Sequence, residues 1–100
     1  METVEEGTIT PEFFKNQGFR KGITIFLITY NGRKVIGIYD ELIVRSPRQS
    51  ENNYVHITDS GGGVEINLGK ITAIREIPLE DVVTALNEML RFNMLAKLIQ

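Results

Sequence analysis

The chain has 100 residues, 42% of them hydrophobic and 24% charged, with a net charge of −2 and no cysteine. That length suits one domain with one modest core, and the composition is globular rather than that of a disordered tail. Without cysteine, disulfide frameworks and thiolate metal sites are excluded. The small negative charge speaks against nucleic-acid binding over the whole surface. The start "METVEEGTIT" lacks a basic-then-apolar signal pattern, and no apolar run nears the roughly 18–20 residues of a membrane span. A cytoplasmic protein that does not enter a membrane is expected.

Residues 1–9 read as a flexible segment. In 10–18, "TPEFFKNQG", Thr10 suits an N-cap, Pro11 the first helical position, Glu12 the positive first turn and Gly18 the stop, predicting a short helix. Two turns are marginal alone, so Phe13 and Phe14 must anchor it elsewhere. "GITIFLITYNGRKVIGIY" is the clearest β signal, with Asn31-Gly32 supplying the positive φ angles of a tight hairpin. Both faces of its first strand are apolar, Ile23, Ile25 and Leu27 on one side and Phe26, Ile28 and Tyr30 on the other. Such a strand is covered twice, by a barrel interior and by a helix or neighbouring subunit. Phe26 and Ile28 are expected at an oligomer or partner interface.

The second strand runs from about Lys34 to Arg45, with a bend or bulge at Gly37 and Asp40-Glu41. After the polar loop "SPRQSENN", "YVHITD" turns Val55 and Ile57 inward and Tyr54, His56 and Thr58 outward. "VEINL" turns Val64, Ile66 and Leu68 inward, and "ITAIREI" forms a last strand. Five short strands within 22–77 predict a small β-barrel. From 79 to 99 the period is helical, Glu80 and Asp81 suit the first turn, and Leu79, Val82, Val83, Leu86, Met89 and Leu90 form a stripe. The helix becomes apolar nearly all round in "MLRFNMLAKLI". A small barrel cannot cover it, so Met89, Phe92, Leu95 and Leu98 are expected to meet another subunit or a partner. The alternative is a helix buried within the monomer with frayed ends. The predicted fold is a single domain, mainly β with flanking helices: a short N-terminal helix, a five-stranded small barrel and an amphipathic-to-apolar C-terminal helix.

"DSGGGVEINLGKIT" (59–72) has the look of a phosphate loop and fails its requirements. Gly63 and Gly69 are separated by five residues instead of four, and Ile71 replaces the Ser or Thr after Lys70. Lys70 also precedes a β-branched run, where a phosphate loop would open a helix. Asp59 to Gly63 instead read as a hairpin turn. His56 is the only histidine and sits on an outward strand face, with no nucleophile elbow near Ser60 or Asp59. Asp40 and Glu41, being adjacent in a strand, point to opposite faces and make no acid pair. No catalytic centre, metal site, cofactor or small-molecule substrate is expected.

Residues 13–48 carry seven bases against two acids. Either these interleave with acids on the folded surface, or the first half forms a basic face. The stretches "TPEFFKNQGFRKGITIFLITYNGRKVIG" (10–37) and "INLGKITAI" (66–74) resemble the Sm/Lsm superfamily, particularly its Hfq-like bacterial members. The likeness covers the opening helix, first strand, Asn-Gly turn and second-strand glycine, then the end of strand four, a short break and strand five. It implies an SH3/Sm-like barrel whose subunits pair strand four with strand five around a ring that binds single-stranded RNA. The family's acidic loop residue falls on Asp40 and the aromatic after it on Leu42. Its basic pair falls on Leu68 and Gly69, with Lys70 one place displaced.

Two functions follow as expectations. One is a non-catalytic homo-oligomer, ring or dimer, binding single-stranded RNA through Arg20, Lys21, Arg33, Lys34, Tyr39, Asp40, Arg45, Arg48 and Lys70, with Tyr30 and Tyr54 as further stacking candidates. The other is a protein-interaction or assembly module built on the barrel and the C-terminal helix, without nucleic acid.

Overall fold

The computed structural model describes residues 6–59 and 61–99. The helix α1 (Pro11–Asn16) precedes strands β1 (Ile25–Tyr30), β2 (Arg33–Ile43), β3 (Tyr54–Asp59), β4 (Gly62–Asn67) and β5 (Ile71–Glu76). A 3₁₀ turn, Leu79–Asp81, then leads into the last helix, α2 (Val82–Leu98). The strands form one antiparallel sheet in the order β4-β3-β2-β1-β5. The sheet is open: among the described residues no ladder joins β4 to β5.

The turns follow the chemistry of their residues. Asn31 and Gly32 take φ of 50° and 76° and close β1 onto β2 with Tyr30 opposite Arg33, as a two-residue hairpin matched to strand twist requires. Asp59 faces Gly62 where β3 meets β4, and the Asp59 carboxylate accepts the Gly61 N–H at 2.8 Å. The expected turn at Asp59–Gly63 is present in its described residues; Ser60 lies outside them. Leu68–Lys70 form a single 3₁₀ turn into β5.

That turn dictates the shape of the sheet. Flat, a five-stranded sheet would hold its edge strands roughly 19 Å apart, whereas three 3₁₀ residues advance only about 6 Å. The sheet therefore curls. Two features in β2 allow it. A Cβ on Gly37 would lie 2.9 Å from the Thr58 carbonyl oxygen and 3.0 Å from Ile57 Cδ1, so only glycine permits β2 and β3 to cross this closely. Asp40 is an extra residue in the β2–β3 register, as expected for a bulge at that pair. As a result β2 pairs with β1 through its first half and with β3 through its second. A further bulge at Thr72 lets Ile71 and Ile74, three apart, both turn inward.

The inner face holds the main core, with residues from all five strands: Phe26, Ile28, Val35, Val55, Ile57, Ile66, Ile71 and Ile74. Leu68 joins it from the 3₁₀ turn. Phe26 and Ile28 are 0% exposed, which corrects their expected place at an interface; alternation defines two faces of a strand but not which one curls inward. α1 covers this core as expected, with Phe14 edge-on to Phe26 at 5.9 Å, and Phe19 from the segment after the helix is edge-on to it at 4.7 Å. Thr10 takes the N-cap position without a side-chain bond, and Gly18, at φ 72°, ends the turn. The segment expected to be flexible, 1–9, falls partly outside the described residues, and within them Ile9 is buried in the core.

The outer face of β1 packs a second, smaller core of Leu27, Ile77 and Ala85, flanked by half-buried Ile25, Ile36, Val82 and Met89. The double covering expected for this strand thus comes from sheet interior on one side and α2 on the other. Ile23, grouped with Ile25 and Leu27 by alternation, instead lies in the turn before β1 and is 65% exposed.

Candidate interaction surface

α2 is held on the sheet by polar contacts as well as packing. Asn93 accepts the Lys34 backbone N–H at 2.7 Å and donates to the Lys34 carbonyl at 2.8 Å. A side-chain amide thus stands in for a strand beside β2, where β3 no longer pairs. Glu88 accepts from Arg75 at 2.8 Å and lies 3.6 Å from Lys34 Nζ. Arg75 first, and Lys34 after it, hold the Glu88 carboxyl below its ordinary range. Lys34 Nζ also sits 4.7 Å over the Phe92 ring and donates to Thr29 Oγ1 at 3.1 Å.

The docked side of α2 reads Val82, Ala85, Met89, Phe92, Ala96, a 3-4-3-4 spacing whose members are all at least half-buried. Beside it runs a second apolar series, starting at Leu79 in the 3₁₀ turn and continuing through Val83, Leu86, Leu90, Met94 and Leu98. Every member is exposed, Leu90 by 57% and Leu98 by 75%. At 3.6 residues per turn the two series lie roughly 130° apart, so a sheet contacting one leaves the other largely uncovered. The exposed series is roughly 28 Å long, a contiguous apolar strip of the kind that marks a contact site.

Along the edge of α2 a groove of about 650 Å³ separates Val82, Leu86 and Met89 from Ile36, Gly37 and Ile38 of β2. Its lining is mainly apolar, with Arg33, Lys34 and Asn93 toward one end and Thr58 and Asp59 from β3. Leu86 belongs to both groove and strip, which makes them one continuous surface.

A second polar region forms where the β2–β3 loop meets the β4–β5 turn. Asn53 is fully buried and organises this loop. Its Oδ1 accepts the Arg45 and Ser46 N–H groups at 2.7 and 3.0 Å, and its Nδ2 donates to the Ser46 and Gln49 carbonyls at 2.7 and 2.6 Å. The Leu68 N–H donates to the Asn53 carbonyl at 2.9 Å. A Cβ on Gly69 would come within 3.2 Å of Glu51 Cγ and Asn67 Oδ1, so the β2–β3 loop and the β4–β5 turn approach closely here. Arg45, Arg48 and Lys70 are exposed on these two segments, and Arg45 stacks 5.7 Å over Tyr54.

The other proposed contacts are dispersed. Arg20 is exposed in the turn before β1, where its N–H donates to Thr24 Oγ1 at 2.8 Å. Arg33 opens β2, Lys21 lies 3.6 Å from Asp40 near its middle, and Arg45 follows its end. The basic residues of the first half thus run the length of β2 instead of gathering in one face. Asp40 also accepts from His56 Nδ1 at 2.6 Å. That hydrogen bond, and then Lys21, hold the Asp40 carboxyl below its ordinary range. The expected surface histidine is in fact paired, and its ring occupies the space a Cβ at Gly63 would fill. Lys34 is engaged by α2 and β1. Tyr39 is half-buried and stacked on Phe14 at 6.1 Å, and burial raises its pKa. Neither Lys34 nor Tyr39 is presented as a free ligand contact.

Of the expected interface residues, Leu95 and Leu98 are exposed, while Met89 and Phe92 are half-buried against the sheet. Asn93 and Asn53 escape the sequence reading. Each is a polar residue breaking its local pattern, Asn93 inside an apolar helix and Asn53 just before an alternating strand, and that break is the available signal. Among the described residues no group of three His, Asp or Glu side chains could hold a metal ion, and no helix is long and apolar enough to cross a membrane. Comparison of the chain with protein-family models, curated proteins and solved structures gave no match.

Proposed function

We propose that the protein is a non-catalytic interaction module whose working surface is the exposed strip of α2 with the groove beside it. The carrying observation is that α2 has two apolar faces and its own sheet covers one. In this reading the curled sheet is a small barrel-like body, closed over its core by α1 and the 3₁₀ turn, that presents the helix rigidly. Light scattering tests the reading. The wild type is expected above monomer mass, and Leu90→Glu is expected to return it to monomer with an unchanged circular dichroism spectrum. A wild type that stays monomeric at all concentrations, or an unchanged mass for Leu90→Glu, sinks it.

A second reading is supported by the loop end. Arg45 stacked on Tyr54, with Arg48 and Lys70 on the adjoining segments, offers a cation and aromatic platform suited to single-stranded RNA. The Sm-type resemblance implies a ring made by pairing β4 with β5, and both strands carry an open edge. On this reading RNA homopolymer binding, followed by fluorescence anisotropy, falls steeply as salt rises, and the solution mass is that of a ring rather than a dimer. Binding that ignores salt, or no binding, removes it.

A further inference from the structure

The exposed strip of α2 and its leading 3₁₀ turn is nearly symmetric about its own midpoint. Leu79 and Leu98, and Val83 and Met94, are pairs equidistant from a point between Glu88 and Met89, and Leu86 and Leu90 are centred on Glu88, half a residue from it. One pair of charges beside the strip follows the same symmetry with opposite signs: Glu80 and Lys97 are equidistant from that point, and both are exposed, while exposed Arg91 has Leu86 as its counterpart. An antiparallel twofold contact makes residue i of one copy meet j of the other and j meet i, and a strip symmetric about its midpoint sets like-sized apolar residues against each other in that arrangement.

From this we propose that the occupant of the strip is a second copy of the chain, its α2 laid antiparallel on the first. The proposal rests on the interaction-module reading and adds to it the partner and its direction. In the antiparallel arrangement Leu79 meets Leu98 of the other copy, Val83 meets Met94, and Leu86 and Leu90 surround the axis. Glu80 then faces Lys97 of the other copy at both ends. A parallel pair would set Glu80 against Glu80 and Lys97 against Lys97, repelling at each end. The opposed helix dipoles favour the antiparallel arrangement as well. Leu86 carries the contact to the rim of the groove, so the second helix also covers the groove mouth. Nothing in the docked face is disturbed, since the Asn93–Lys34 and Glu88–Arg75 contacts tie α2 to its own sheet.

The absence of cysteine from the chain permits a clean test. Leu79→Cys and Leu98→Cys, both at exposed positions, are prepared as full-length variants and treated with a short bis-maleimide cross-linker, separately and mixed. The expected result is a cross-linked dimer from the mixture and little from either variant alone. Cross-linking of each variant with itself means parallel helices and overturns the proposal. An assembly above monomer mass with no cross-link in any sample also overturns it, while leaving the interaction-module reading in place. A monomer throughout removes both. As a second measurement, Glu80→Lys is expected to weaken self-association by about tenfold, and Glu80→Lys combined with Lys97→Glu to restore it. No weakening, or no restoration, contradicts the antiparallel register.

Discussion

The two faces of β1 show the same kind of residue serving two different ends. On the inner face Phe26 and Ile28 are closed in by four other strands, α1 and a 3₁₀ turn, and neither is exposed at all. On the outer face Leu27 meets a single helix, and that helix still presents Val83, Leu86 and Leu90 to solvent. The difference teaches that an apolar strand face specifies burial without specifying how complete the cover will be. A curled sheet can bury its inside by itself. A single helix on the outside exchanges one exposed apolar face for another unless a further layer follows.

The largest expected break in this comparison is Phe26→Ala, which should lower stability by about 3–5 kcal/mol, since it empties the centre of the closed core. Met89→Ala, in the half-covered core, should lose less than half as much. Urea unfolding of both variants checks the ranking, and equal losses would mean that the two cores are equally complete. Next comes Asn93→Ala. It leaves the Lys34 N–H and carbonyl without their side-chain partner on α2 and is expected to lower stability by roughly 1–3 kcal/mol. Faster hydrogen exchange at the Lys34 amide should accompany it, and unchanged exchange would show that α2 does not need this anchor.

The smallest expected effect is one of pH. Asp40 and Glu88 both have folded pKa values below their ordinary ones, Asp40 mainly through His56 and Glu88 mainly through Arg75. A carboxyl with a lowered folded pKa adds stability that is present above its unfolded value, about 4, and lost as pH falls through the folded one. Asp40→Asn should therefore destabilise modestly at neutral pH, and the difference from wild type should shrink in acid. A difference that stays constant or grows below about pH 4 would rule out this contribution.

Much of the fold was legible in local chemistry. Asn31-Gly32, the alternation of 54–59 and the apolar excess of 89–99 each point to one structure because turn angles and side-chain periods are properties of neighbouring residues. The candidate site was legible only in part. Leu95 and Leu98 could be named as exposed because no small sheet can surround an apolar helix. Phe26, Ile28, Met89 and Phe92 could not be placed correctly, because their exposure depends on which way the sheet curls and where α2 lands. Asn93 acts on the backbone of Lys34, in a distant strand, and Asn53 on groups four to eight residues back in an irregular loop, so no side-chain period announces their partners.

By itself, then, the sequence determined the number of strands, their turns, the two apolar faces of β1 and the surplus apolar surface of α2. Each of these follows from the period and conformational preference of short stretches. The tertiary structure alone decided the direction of curl, set by the close crossing at Gly37 and the bulge at Asp40. It also decided the spread of the basic residues along β2 and which of the two stripes of α2 meets the sheet. Those outcomes depend on contacts between segments far apart in the chain, where packing chooses between faces that local chemistry leaves equivalent.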